Sequence, residues 1–348
     1  MIKALKKAQT IYFCIVSINW IRFFRLYDRK AQNILWYYPG FRKKLFMQSV
    51  ERDFGFIAGF IALNQPFRIY FGRNVGKFHN KTIFYSVTKY YELFGFSNYT
   101  HILYHISKQL ETQGNKVYPA SQETLYWENK AYMHEKFNEL NIPHPKTIIL
   151  KSVEDAEKAN VKFPCLLKET HSSSSMGLHK INSKEELLGT IDSKKLFFTN
   201  ESLLLQELLN IRRDMRITCV GNEICHHYWR INLSDEWKPT ATGYGSRVDF
   251  VSFPEHWRSR VIEISKSLQL VSAGYDFAWQ NDDLNSEPIV LEVSPFYQPN
   301  PPADMTGKKF TYGEYKKKFL LKDSWDKRFV DIIYELQTKI VKNVIESR

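Results

Sequence analysis

The stretch FPCLLKETHSSSSMG, residues 163–177, decides how this chain is read: a short apolar run ends in one lysine, Lys168, and a loop of small residues follows at once. A lysine held at a strand end is a compact positive charge for phosphate, and serine hydroxyls with free backbone N–H groups can wrap the phosphate oxygens. Read alone, the same run also suits a surface strand with a solvated lysine and a serine-rich loop. The second half of the chain makes the choice.

Residues 273–296, AGYDFAWQNDDLNSEPIVLEVSPF, set two β-forming runs around an Asp/Asn-rich turn, the pattern of a hairpin. With the turn centred near Leu284, Asp276 falls opposite Glu292, and the two-residue side-chain period keeps Ser294 on the face of Glu292. Opposed carboxylates destabilise a sheet unless a cation lies between them, and two oxygen ligands suit a Mg²⁺ that phosphates also bind. A register slip of one residue, or two acids facing water, is the plainer alternative. Upstream, DMRITCVGNEICHHYWRIN (214–232) gives a second hairpin about Gly221 and Asn222. Asp214 and Arg216 share a face of one strand, as do Tyr228 and Arg230 of the other. An arginine fork fits phosphate or carboxylate bidentately, although a surface charge ladder has the same spacing.

In this order, these segments resemble the ATP-grasp superfamily, which includes glutathione synthetase, D-alanine:D-alanine ligase and the ligase that adds glutamate to a ribosomal protein. The resemblance runs from about residue 120 to 305, opening at ENKAYMHEKFNELNIPHPKT (128–147) and passing through FPCLLKE, LLLQELL (203–209), the 214–232 hairpin, DFAWQ and LEVSP. It implies an α/β (α+β) chain with an ATP-grasp fold, two α/β subdomains sandwiching ATP, preceded by a mixed α/β N-terminal domain. It implies ATP and Mg²⁺ (or Mn²⁺) as cofactors. Lys130, Lys168 and the loop residues Ser173, Ser174, Ser175 and Gly177 are then expected on the phosphates. Gln206, Glu207, Leu208 and Leu209 are expected around the adenine, and Asp214 at or near the ribose. Arg216 and Arg230 are the expected catalytic pair, and Asp276, Glu292 and Ser294 the metal ligands. Ser294 departs from the family, which has asparagine there, and the covering loop carries a single glycine among its serines.

The activity implied is carboxylate–amine ligation through an acyl phosphate, giving an amide or peptide-like bond. A kinase using the same nucleotide pocket, or a catalytically weak nucleotide-binding protein, shares these motifs. A basic protein that binds surfaces without ATP is the reading from another class. The expected partners are ATP, an acidic small molecule or a peptide or sugar carboxylate, and an amine. Gln298 and Asn300, in the proline-rich loop after the second metal acid, are further ligand candidates.

Composition sets outer limits. The chain has 348 residues, 43% hydrophobic and 15% aromatic, enough for two or three packed units. The divisions expected are 1–120, an N-terminal domain; 121–200 and 201–315, the small and large ATP-grasp subdomains; and 316–348, a C-terminal docking helix. A net charge of +12 suits nucleic acid, an anionic membrane or acidic small molecules. No helix-turn-helix, zinc-finger or RNP-type signature is present, so nucleic acid is set aside. Cys14, Cys165, Cys219 and Cys225 lack metal-ligand spacing and read as free thiols of a cytoplasmic protein. The opening MIKALKK followed by IYFCIVSINWIRFF lacks a small-residue cleavage site and is too short to cross a bilayer. It reads as a helix packed on the protein's own core, the alternative being peripheral contact with an anionic membrane.

Overall fold

The computed structural model describes residues 2–37, 50–72, 74–86, 100–172, 175, 177–234, 236–241, 244–250, 252–297, 310–311 and 325–347. The chain divides into two units, Met1–Thr124 with Gln298–Met305 and Lys316–Arg348, and Leu125–Tyr297 with Thr306–Tyr315.

The first unit opens with α1 (Ile2–Val16) and α2 (Trp20–Leu26). The break between them has a cause: the Asn19 side chain accepts from Arg22 N at 3.1 Å and starts α2 afresh, while Trp20 Nε1 donates back to Ile15 O at 2.9 Å. Then follow β1 (Asn33–Tyr37), α3 (Val50–Ala62), β2 (Phe67–Phe71), β3 (Thr82–Tyr85), α4 (Thr100–Thr112) and β4 (Lys116–Tyr118). The strands pair in parallel in the order β2-β1-β3-β4, and all five residues of β1 are buried, as a central parallel strand requires. The C-terminal helix, Trp325–Glu346, packs on α3 and α1.

That contact is close because α3 carries glycines four residues apart. A Cβ on Gly59 would lie 3.0 Å from Val341 Cγ2 and 3.2 Å from the Thr338 Cα, and one on Gly55 would lie 2.6 Å from Gln337 Cγ. Gly59→Leu therefore forces two backbones apart and is expected to destabilise by about 3 kcal/mol or more, measured by urea unfolding.

The second unit carries two antiparallel sheets. Helix α5 (Lys130–Glu139) comes first, capped by Asn129, whose side chain accepts from Tyr132 N at 3.1 Å. A four-stranded sheet follows, made of β5 (Thr147–Leu150), β6 (Cys165–Glu169), β7 (Leu178–Ile181) and β8 (Leu203–Glu207) in the order β5-β8-β6-β7. Helices α6 (Val153–Lys158) and α7 (Lys184–Ser193) bring Ala156, Leu187 and Ile191 onto one of its faces, against Leu150, Cys165, Leu167, Leu203 and Leu205. Strand periodicity leaves Leu166, Lys168, Leu204 and Gln206 on the other face.

The larger sheet holds β9 (Arg213–Val220), β10 (Glu223–Ile231), β11 (Arg247–Asp249), β12 (Ser272–Ala278), β13 (Ile289–Ser294) and β14 (Phe310–Thr311), with α8 (Arg258–Ser267) between β11 and β12. The strand order is β13-β12-β9-β10-β11-β14. Met215, Ile217, Trp229, Tyr275, Phe277 and Val293 form one face, buried against Met133 and Phe137 of α5 and Val261 and Ile264 of α8. Residues of the alternate parity face the other way, among them Asp214, Arg216, Arg230, Asp276 and Glu292.

Helix α5 serves both sheets. Val293 N lies 3.4 Å from Met133 Sδ, whereas His134, one residue on and about 100° round the helix, reaches Gln206 of β8. The segment before β5 adds a second tie, with Val290 N donating to Pro143 O at 2.8 Å.

Candidate active site

The register of the large sheet sets four polar residues in one row. Glu292 of β13 pairs with Asp276 of β12, Asp276 with Arg216 of β9, and Arg216 with Tyr228 of β10. Asp214 and Arg230 form the adjacent pair on the same face. The Asp276–Glu292 opposition expected from the hairpin is therefore present. A bulge follows between Asp276 and Phe277, so that Phe277 pairs with Val290 and Leu291 is the extra residue.

The charges on this face neutralise one another. Arg216 grips Asp276 with two N–H groups, Nε to Oδ1 and Nη2 to Oδ2, the second at 3.0 Å. Arg230 donates to Asp214 through Nε at 2.7 Å and Nη2 at 2.5 Å, and the same Nη2 lies 2.9 Å from Asp276 Oδ2. Thr240 Oγ1 adds a donor to Asp214 at 2.8 Å. Burial pushes the Asp214 carboxyl above the usual range, since Arg230 only partly offsets it. Burial acts on Asp276 too, but Arg216 and Arg230 together outweigh it and hold that group below the usual range. Asp276 is thus an ionised carboxylate held by two guanidinium groups.

Across from this face, β6 supplies Lys168. Desolvation, with Lys130 adding to it, pushes its pKa down to about 8, while Glu292 and Asp276 act in the opposite direction. Lys130, at the first turn of α5, is tied to the segment after β6: its backbone N donates to Thr170 O at 3.1 Å, and its Nζ bonds Ser172 O and Ser172 Oγ. Ser172 Oγ in turn donates to Glu169 O at 2.9 Å. The loop closes through Glu169 N to Gly177 O at 2.8 Å. Gly177 has φ +66, and a Cβ there would lie 2.8 Å from the Glu169 side chain, so only glycine fits. Ser175 is at φ 59, while Ser173, Ser174, Gln298 and Asn300 lie outside the described residues.

At the end of β8, the Gln206 amide donates to Thr147 Oγ1 at 2.9 Å and lies 3.1 Å from His134 Nε2. Gln206 is the donor in that second contact, so Nδ1 of the histidine carries the proton. Burial, reinforced by Lys168, pushes His134 down to about 2, and the ring is neutral. The Glu207 carboxylate accepts from Lys146 N at 2.8 Å. Leu209 is buried and Leu208 half-buried where the strand ends. Ser294 Oγ donates to Phe296 O at 2.8 Å and accepts from Phe296 N at 3.2 Å, a local turn that leads Phe296 into a stack on Trp127 with ring centroids 3.9 Å apart.

A model of the RimK-like ATP-grasp domain matches residues 127–300, half of the chain. The chain belongs to the RimK-like ATP-grasp family. Over 139 residues it is 29% identical to a coenzyme gamma-F420-2:alpha-L-glutamate ligase of Methanococcus maripaludis, a match covering 36% of this chain and 46% of the relative. The chain therefore spans about half the length of that curated relative. Its fold is similar to D-alanine–D-alanine ligase of Bacillus anthracis solved with ATP (TM-score 0.53, 13% identity, 90% of this chain and 99% of that one). It is also similar to a RimK domain ATP-grasp protein of Sphaerobacter thermophilus (TM-score 0.52, 11% identity, 88% and 99%). The ATP-grasp family and fold expected from the motifs are both borne out.

Within that family fold, the structure brings Lys130, Lys168, Asp276 and Glu292 into one electrostatic neighbourhood. Arg216 and Arg230 stand beside them, but joined to the carboxylates of Asp276 and Asp214 rather than free. Glu207 shares a strand with Gln206 yet directs its carboxylate to Lys146. Two residues of the site were not singled out from sequence: His134 and Thr240. His134 had a signal, because it lies one helical turn after Lys130 and shares its face. Thr240 had none, since its loop meets Asp214 from 26 residues away.

Proposed function

We propose that this chain is an ATP-dependent carboxylate–amine ligase that forms an amide or peptide-like bond through an acyl phosphate. The observation that supports it most is the single polar sheet face on which Glu292, Asp276 and Arg216 stand in register, with Lys168 close enough to feel both carboxylates.

Lys130 and Lys168 bind the phosphates, and the loop closed at Gly177 covers them. The end of β8 at Leu208 and Leu209 takes the adenine, and Gln206, fixed by Thr147 and His134, braces that edge. Asp276 and Glu292 are opposed hard oxygen donors, a set that fits Mg²⁺ or Mn²⁺. Asp276 must share its carboxylate with the arginines to serve, and Ser294 would join only by leaving Phe296. The ion, when bound, neutralises phosphate charge. A substrate carboxylate oxygen attacks the γ-phosphorus and ADP departs. The amine nitrogen then attacks the acyl carbon, phosphate leaves, and the nitrogen loses a proton. Arg216 and Arg230 stabilise the oxyanion of that second step, an effect worth about 3 kcal/mol per well-placed donor.

The acceptor fits an acidic small molecule or a peptide or sugar carboxylate, given the net charge of +12. The curated relative is named a glutamate ligase, and an amino acid as the amine suits this reading. Cys14, Cys165, Cys219 and Cys225 stand outside any disulfide, which supports a cytoplasmic protein.

The direct experiment is ADP release with Mg·ATP against pooled carboxylates and amines, with product mass read alongside. Ligation gives one amide per ADP, and a phosphorylated hydroxyl product would replace this reading with a kinase. Asp276→Ala and Glu292→Ala are each expected to lower turnover at least about 100-fold. Phosphate favours the charged form of Lys168, so nucleotide binding near pH 8 is expected to take up a fraction of a proton, and affinity to fall as pH rises above about 8. Calorimetry of a non-hydrolysable analogue in buffers of different ionisation enthalpy measures that uptake, and Lys168→Met should abolish it.

A further inference from the structure

Six of the fifteen large hydrophobic side chains that stand exposed among the described residues fall between Tyr12 and Phe24: Tyr12, Ile15, Val16, Trp20, Ile21 and Phe24. Ile21 is 85% exposed and Phe24 72%, values that need an explanation for side chains with nothing polar to offer water. The helices are not simply lacking a core to join. Cys14, Ile18 and Leu26 are buried, α1 packs on α3 and the C-terminal helix, and Tyr334 Oη donates to Cys14 O at 2.8 Å. One side is docked, and a second apolar side faces outward.

Charge identifies what that side meets. Residues 1–27 contain Lys3, Lys6, Lys7, Arg22 and Arg25 and no Asp or Glu. On α2 the exposed pair Ile21 and Phe24 alternates with Arg22 and Arg25, which are also exposed. Apolar side chains interleaved with cations, an exposed tyrosine with a polar tip (Tyr12) and no acid in between are the needs of a helix lying in the interface of an anionic bilayer. Among the described residues no helix is long and apolar enough to cross one.

We propose that α1 and α2 present a peripheral docking face for an anionic lipid surface, the apolar side chains entering the headgroup boundary and the arginines pairing with lipid phosphates. The test is flotation of the full chain with phosphatidylcholine vesicles made with or without phosphatidylglycerol. Co-flotation is expected only with phosphatidylglycerol and is expected to weaken with salt. Ile21→Ser with Phe24→Ser, and separately Arg22→Glu with Arg25→Glu, are each expected to weaken it about tenfold or more. All four side chains are exposed, so melting temperature should stay unchanged and unfolding cannot imitate the result. Absence of flotation, equal flotation with neutral vesicles, or flotation indifferent to both double variants overturns the proposal. So does a concentration-dependent dimer that Ile21→Ser with Phe24→Ser dissociates in the absence of vesicle binding, which would assign the face to a second copy. No nucleotide enters the assay, so its outcome is separate from that of the ligase reading.

Discussion

Lys168→Met is expected to weaken binding of a non-hydrolysable Mg·ATP analogue by about 10- to 100-fold, the value of one charge-assisted contact of 1.5–3 kcal/mol, and at the same time to raise the melting temperature. The two effects share one cause. Desolvation pushes this lysine from 10.5 to about 8, so its charge is disfavoured in the folded chain. Below pH 8 both folded and unfolded states are protonated, and the fold carries the whole penalty, up to about 3 kcal/mol by the usual 1.36 kcal/mol per pH unit. Between about 8 and 10.5 the unfolded state binds more protons than the folded one, so native stability rises with pH in that window. Methionine is unbranched and only one atom shorter and removes the charge, so the variant should be the more stable at pH 7 and lose the rise between 8 and 10.5. Calorimetric binding and thermal unfolding across pH read the two halves separately. Native affinity in the variant would remove Lys168 from the nucleotide site, and an unchanged melting profile would mean that the lysine is hydrated rather than desolvated.

The same residue shows how far the sequence could be read. Lys168 at the end of an apolar run and the loop after it were visible because strand and loop are contiguous. The opposition of Asp276 and Glu292 was visible because a hairpin needs only a turn centre and a period of two. The bulge at Phe277 was not, because an extra residue in one strand leaves no mark on either run of β-formers. The pairing of Asp276 with Arg216 was out of reach for a different reason. It joins β12 to β9 across 60 residues, through sheet order rather than through a turn. Without that pairing, Arg216 and Arg230 read as free forks awaiting phosphate. In the fold each guanidinium already holds a carboxylate, so any anionic ligand they bind has to compete with or extend that network. For α1 and α2 the sequence left both readings open, a helix packed on the core and peripheral contact with an anionic membrane, since apolar spacing alone cannot tell a helix with one buried face from a helix with two apolar ones.

Arg230→Ala is expected to be the most destabilising single change in the site. Among the described residues its guanidinium alone reaches both Asp214 and Asp276, and both acids are buried. Removing one partner from a buried ion network leaves an uncompensated charge and typically costs about 3–5 kcal/mol. For a unit of this size that amounts to a fall in melting temperature of roughly 6–20 °C. The sign of the pH dependence follows from Asp214, whose carboxyl burial already raises. With Arg230 gone it rises further, and a folded-state value above the unfolded one stabilises the fold as pH falls. The variant should therefore recover stability as pH falls through the raised Asp214 value, by more than the native chain does, whereas the contribution of Asp276, whose carboxyl is held low, is lost only below the ordinary carboxylate range. Adding Asp214→Asn to Arg230→Ala removes one of the stranded charges, and the double variant should be more stable than Arg230→Ala alone, a non-additivity that thermal unfolding of the full cycle measures directly. Turnover should not return with stability, because Asp276 would still lack one of the two groups that orient it beside Glu292. A double variant that regained both would reduce Arg230 to a structural brace, whereas stability without turnover is the result expected of a group that orients Asp276 and stabilises the oxyanion.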